Sequence, residues 1–300
     1  MRTTTRNQLT ILGLLAATTL VAGCSGDSGQ KAAAVPPVPE MQAQVAEAAP
    51  PAVTPPVAEK AVVVDAATAR AAWKDGVDLF DKGDYAGATS SLKTAIAGSP
   101  DSAYRHYLLG LALWKSGDPA GAETSLIESV KLDPTRIKGW INLARVRNER
   151  EDGSGALEAS GKALEINPDS ADALHQKGRA LMGLKRGDEA LAALQTAHGL
   201  DGKNGYVANT LGLLLIQLGR PSDAIQPLED AKSVLPGVAY VRNNLGVAYE
   251  RTGRIDEAKA EFQAAVDAGD TNGKAMSALV RLGAPETTGT AVTTASVNEN

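Results

Sequence analysis

Several short stretches hold residue types whose spacing could do chemistry. Residues 26–29 read GDSG, a setting in which acyl-transfer enzymes present a nucleophilic serine. Such a serine needs a histidine to take its proton and an acid to orient that histidine on a rigid scaffold. The three histidines, His106, His175 and His198, all lie downstream in strongly helical patterns, so Ser28 reads as spacer. The run GSGALEASGK at 153–162 has the look of a phosphate-binding loop, yet five residues separate Gly155 from Gly161 and Ala163 follows Lys162. A phosphate loop needs four residues there and a hydroxyl after the lysine. No pair of histidines has metal-ligand spacing, and the single cysteine cannot form a cysteine cluster or an intrachain disulfide. The sequence therefore predicts no catalytic residue, no metal and no cofactor; the chain is expected not to be an enzyme.

That single cysteine, Cys24, has its own chemistry. Upstream stand Arg2 and Arg6 with no acid, then the apolar run ILGLLAATTLVAG. A basic start, an apolar core of about a dozen residues and a small-residue exit make a secretory signal, too short to span a membrane. The small Ala22 and Gly23 before Cys24 resemble the lipobox of bacterial lipoproteins. The resemblance implies cleavage after residue 23 and lipidation of Cys24 by diacylglycerol and a further acyl group. An ordinary signal peptide that happens to hold a cysteine is the alternative. Ser25 is not the aspartate that retains lipoproteins in the inner membrane of many Gram-negative bacteria, so an outer-membrane address facing the periplasm is expected.

Residues 24–65 read as a lipid-anchored tether. Seven prolines (Pro36, Pro37, Pro39, Pro50, Pro51, Pro55, Pro56) and no aromatic residue argue against a packed core there. Residues 284–300 read as a polar tail. Removing residues 1–23 takes two arginines and no acid, leaving 28 bases against 35 acids, a net charge of −7. Nothing in that balance supports nucleic-acid binding. Residues 66–283 are rich in Ala, Leu and Gly and poor in aromatics, which predicts closely packed helices.

Self-comparison supplies the organisation. Six segments align at a period of 34 without insertion: 69–102, 103–136, 137–170, 171–204, 205–238 and 239–272. The eighth position is Gly76, Gly110, Ala144, Gly178, Gly212 and Gly246; the twentieth is alanine in all six. Small side chains there let two antiparallel helices approach closely. Leu92, Leu126, Leu194, Leu228 and Phe262 at the twenty-fourth position fill the remaining space. Glycines at Gly83, Gly117, Gly219 and Gly253 supply turns between helices, and prolines such as Pro134 and Pro168 end second helices.

Segments such as NNLGVAYERTGRIDEAKAEFQAAV resemble the tetratricopeptide repeat family, whose pattern is W-x₂-L-G-x₂-Y…A-x₃-F…P. The resemblance covers 204 residues and implies an all-α, right-handed superhelical α-solenoid of helix-turn-helix repeats. First helices would line a concave groove, and residues 273–282 would form a capping helix. Repeat three departs most from the pattern. Glu151 holds the turn-glycine position, Arg147 replaces a bulky apolar residue, Ser160 replaces the core leucine, and EDGSGA reads as a looser turn. In repeat four Lys185 holds the glycine position. Repeat three is either the least stable unit or one kept polar for a ligand.

Family geometry places six positions of each repeat on the concave side. Those positions hold seven of the 11 aromatics, and seven bases against four acids, a net +3. A positive groove in an acidic protein predicts an acidic partner, an extended peptide or a helix. The partner-binding residues read from this pattern are Trp73, Tyr107, Trp114, Asn142, Arg145, Asn148, His175, Arg179, Asn209 and Asn243. The aromatics there either contact ligand or pack between repeats. In architecture the chain resembles lipoproteins that assist pilus and secretion-pore assembly. An adaptor for an envelope protease or cell-wall hydrolase, or a peptidoglycan-contacting protein, are the alternatives.

Overall fold

The computed structural model describes residues 64–283; Cys24, the signal, the tether up to residue 63 and the tail expected above lie outside the described residues. Thirteen α-helices and no strand are found among the described residues. The first helices of the six repeats are α1 (Ala66–Asp81), α3 (Ala103–Lys115), α5 (Ile137–Glu149), α7 (Ala171–Gly183), α9 (Gly205–Gln217) and α11 (Ala239–Arg251). Each packs against its own second helix: α2 (Tyr85–Ala97), α4 (Pro119–Leu132), α6 (Gly153–Ile166), α8 (Gly187–Leu200), α10 (Pro221–Val234) and α12 (Ile255–Asp267). A last helix, α13 (Lys274–Arg281), packs on α12. The pairs stack into a right-handed superhelical α-solenoid.

The eighth and twenty-fourth positions are partners across each pair. A Cβ added at Gly76, Gly110, Gly178, Gly212 or Gly246 would come under 3.0 Å from the side chain of Leu92, Leu126, Leu194, Leu228 or Phe262 respectively. Those large side chains are fully buried, so hydrogen at the eighth position is what admits them. Repeat three inverts the pair: Ala144 carries the extra carbon and Ser160 the smaller side chain, both fully buried. The departure seen in the sequence is thus a volume exchange. It leaves α6 burying only Ala156, Ala159, Ser160 and Ala163. The two largest clusters of the core part there, one running from Ala88 and Leu92 to Val146 and Ala159 and the other from Leu181 to Leu279.

Arg147 brings a half-buried charge to repeat three. Its guanidinium donates to Glu123 Oε1 on α4 at 2.9 Å and to the Gly155 carbonyl at 3.0 Å, and the Arg147 and Glu123 side chains are only 16% and 14% exposed. Arg150 pairs with the other oxygen of Glu123. Arg147 thus ties repeat three to α4 of repeat two as well as to its own second helix.

The turns follow one geometry throughout. Gly83, Gly117, Gly219 and Gly253 have positive φ, and so do Glu151 (61°) and Lys185 (59°) at the equivalent positions. The turn of repeat three is not looser than the others. Asp152 caps α6 by accepting from Gly155 N at 2.9 Å, as Asp84 and Asp118 accept from Gly87 and Gly121. In repeats four to six an arginine takes that place and pairs three residues ahead: Arg186 with Glu189, Arg220 with Asp223, Arg254 with Glu257. A left-handed conformation costs an ordinary residue about 1–2 kcal/mol, partly offset by the entropy glycine loses on folding. Glu151→Gly and Lys185→Gly are each expected to raise stability by about 0.5–1 kcal/mol in urea denaturation. A fall in both midpoints would mean that these side chains hold their turns by contacts of their own.

Candidate functional site

Because the first helices follow one another at a fixed pitch, side chains one repeat and one residue apart face each other. Five hydrogen bonds among the described residues have this separation of 35: Trp114 to Glu149, Asn142 to Tyr107, His175 with Thr210, Asn244 to Asn209, and Arg251 to the Ile216 carbonyl. They form a polar ladder between neighbouring first helices. It consumes groups that the sequence pattern assigns to a partner. Asn142 donates to Tyr107 Oη at 3.2 Å and to the Lys138 carbonyl at 2.9 Å. Asn148 donates to both oxygens of Gln176, the backbone one at 3.0 Å. Asn209 is buried and accepts from Asn244 at 3.0 Å.

Among the described residues, three cavities are lined mainly by first-helix residues. The largest, about 410 Å³, is walled by Trp114 and Lys115 of α3, Arg145 and Glu149 of α5, and Asp172, His175, Gln176 and Arg179 of α7. Asn204 and Tyr206, at the start of α9, complete it. A second chamber of about 320 Å³ shares Trp114, Lys115, Arg145 and Asp172, and adds Phe80, Tyr107, Leu111, Lys138, Ile141 and Asn142. A third, of about 330 Å³, lies between Asn148, Glu151, Gly153, Arg179 and Gly183.

The common wall is an aromatic ring between cations. Lys115 Nζ lies 4.6 Å from the Trp114 ring centroid and Arg145 Cζ lies 5.3 Å from it. Each such contact is worth about 0.5–1 kcal/mol at an exposed site. Burial pushes the Arg179 guanidinium below the usual arginine range; Glu149 opposes that shift and Arg145 adds to it. His175 is pushed down to about 4, first by burial and then by the charges of Arg179 and Arg145. It is therefore neutral near pH 7. Its Nε2 lies 2.9 Å from Thr210 Oγ1, whose own proton goes to the Tyr206 carbonyl at 2.8 Å. Nε2 must then carry the hydrogen and donate.

Of the residues read from the sequence, Trp114, Arg145, His175 and Arg179 meet in the largest cavity. Tyr107 and Asn142 line the second chamber and Asn148 the third. Trp73 packs instead among repeats one and two, with Tyr104 edge-on at 5.6 Å and Arg105 over its ring. Asn209 and Asn243 line none of the three. The sequence reading passed over Asn204, a loop residue outside the concave positions. Its carboxamide oxygen caps α9 by accepting from Tyr206 N and Val207 N, and such a cap is visible in sequence as Asn before an apolar helix.

Four family models match the chain: a TPR repeat model over residues 76–117, and tetratricopeptide repeat models over 103–136, 148–214 and 209–273. The chain belongs to the tetratricopeptide repeat family. No curated protein matches it in sequence. Among solved structures it is similar to PilF of Pseudomonas aeruginosa, with 22% identity and a TM-score of 0.54 over 62% of this chain and 84% of that one. It is also similar to a thermophilic TPR protein of Thermus thermophilus, with 21% identity and a TM-score of 0.51 over 61% and 97% of the two chains. MamA of Desulfovibrio magneticus RS-1 aligns at 20% identity and a TM-score of 0.51 over 56% and 94%. At these identities the likeness is one of fold. Tetratricopeptide repeats are in general non-catalytic scaffolds for protein–protein interaction, and this chain has their fold.

Proposed function

We propose that the chain is a lipid-anchored scaffold of the bacterial cell envelope, held at the outer membrane through Cys24 and recruiting an acidic protein segment into its groove. One observation carries the partner's chemistry: Arg145 and Arg179 line one cavity, each close enough to raise the cost of charge on the buried His175 beside them. Two like charges in a partly desolvated site are stabilised by a ligand carboxylate. The anchor and the envelope address rest on the VAGC stretch before Ser25. A role in assembling pilus or secretion-pore complexes fits that architecture of anchor, tether and repeats.

The test is in-cell crosslinking and recovery of the lipidated protein, wild type beside Arg145→Glu/Arg179→Glu. Losing a buried charge contact costs about 2–5 kcal/mol, so an acidic partner should fall at least tenfold in recovery. Circular dichroism checks that the double variant keeps its helices. Unchanged partners on a folded variant would place recognition elsewhere on the chain.

A further inference from the structure

The polar rungs between neighbouring first helices follow a rule. The fifth residue of one repeat meets the sixth of the next: Tyr107 with Asn142, His175 with Thr210, Asn209 with Asn244. Between repeats three and four the pair in that register is Ile141 and Gln176. Ile141 is buried and its side chain has no polar atom to offer, so this rung is missing. Gln176 is left with half of its carboxamide in use. Its Oε1 accepts from Asn148 Nδ2 at 3.2 Å and from Arg179 Nη1 at 3.3 Å. Two donors can meet only the oxygen, which fixes the amide's orientation and turns Nε2 the other way. Among the described residues nothing accepts from Nε2, although Gln176 is only 2% exposed. The little of it that is open lines the cavity of about 410 Å³. Buried donors are nearly always paired, so this one points to an acceptor on an occupant of that cavity.

We propose that Gln176 is a specificity-determining residue of the groove, and that the carboxylate of an acidic segment supplies the missing rung. One carboxylate oxygen accepts from Gln176 Nε2 and the other from the guanidinium of Arg179. The donors stand near enough for this. Arg179 Nη1 lies 3.3 Å from Gln176 Oε1, and Nε2 is about 2.2 Å from that oxygen across the carboxamide, so the two donors are within about 5.5 Å. A carboxylate with N–H···O contacts of about 2.9 Å bridges donors that far apart. Arg179 keeps N–H groups for it, since a guanidinium carries five. Neither acid of the lining fills the place: Glu149 accepts from Trp114 Nε1, and Asp172 is exposed in the first turn of α7. Lys115 and Arg145 attract any anion, whereas an amide donor beside Arg179 favours two oxygens in one plane. This inference rests on the reading of the groove as a site for acidic segments, and it names the residue that reads the acid.

The test titrates fluorescence-labelled Gly/Ser peptides carrying three aspartates, or three asparagines in their place, against the full chain and two variants. Gln176→Met removes the donor. Ile141→Asn keeps the donor but occupies it, because an asparagine there copies the acceptor that Asn209 offers Asn244. Circular dichroism checks that each variant stays helical, with Ile141→Thr, closer in shape, in reserve should asparagine unfold the chain. The wild type is expected to bind the aspartate peptide at least about tenfold more tightly than the asparagine one. Each variant should lose about tenfold of the aspartate binding with little change for asparagine. Wild-type affinity for aspartate in both folded variants would overturn the role of Gln176 and leave the acidic groove standing. A loss in Gln176→Met alone would mean that the residue only holds Arg179 in place, which overturns it as well. If the wild type binds both peptides alike, the acidic reading falls and this inference with it.

Discussion

Replacing Ser160 by leucine is expected to destabilise the chain by about 1–3 kcal/mol, although leucine is what four other repeats carry at that position. The reason is the carbon on Ala144. In the repeats with glycine at the eighth position, a Cβ would stand under 3.0 Å from the partner's side chain, so alanine and leucine cannot share the space unstrained. Adding Ala144→Gly removes the clash and lets a buried leucine contribute about 1.5–3 kcal/mol, less about 0.5–1 kcal/mol for glycine within a helix. The double variant should then exceed Ser160→Leu alone in stability, with a coupling of about 2 kcal/mol in a double-mutant cycle read by urea denaturation. Additive effects would show that the two residues do not share one space. Success would also join the two largest apolar clusters, which now meet at α6.

Stability should also fall as pH drops from about 6.5 towards 4, and His175 should account for a large part of the fall. Burial and the neighbouring guanidiniums hold its pKa down at about 4, against 6.5 in the unfolded chain. Above 6.5 both states are neutral and the group contributes no pH dependence. Below it the unfolded chain takes up a proton that the folded chain refuses, so stability is lost until the folded pKa is reached. A shift of this size is worth about 3 kcal/mol at the acid end. The groups around the ring are Arg145 and Glu149 on α5, Asp172 and Arg179 on α7, and Thr210 on α9. His175→Gln keeps an amide donor for Thr210 and cannot charge. Its stability-against-pH curve should be flatter than wild type over this window, and parallel curves would show that the histidine titrates freely.

The local chemistry of the fold was legible in the sequence. A 34-residue period is set by helix length and turn, and both are written in nearby residues: small side chains at the eighth and twentieth positions, glycines at the turns. From the second repeat onward each first helix begins on the first residue of its repeat, at Ala103, Ile137, Ala171, Gly205 and Ala239. The inverted Ala144–Ser160 pair could be seen as two separate departures, but only contact across the helix pair makes them one exchange.

Which concave side chains stay free was decided by tertiary structure alone. Repeat position tells which way a residue points, not what waits there. Asn142 and Asn148 point towards the groove side, yet Tyr107 and Gln176 of neighbouring helices and the Lys138 carbonyl of α5 itself take their amide protons. Trp73 meets Tyr104 while Trp114, near the other end of its helix, meets two cations and a cavity. Arg147 reads as a flaw in a repeat until Glu123, 24 residues earlier, closes on it. The sequence by itself therefore determined the repeat, its phase and the face that could bind. The superhelical stacking determined which polar groups on that face were spent holding repeats together and which cations line the cavities, because both depend on distances between helices that no single repeat encodes.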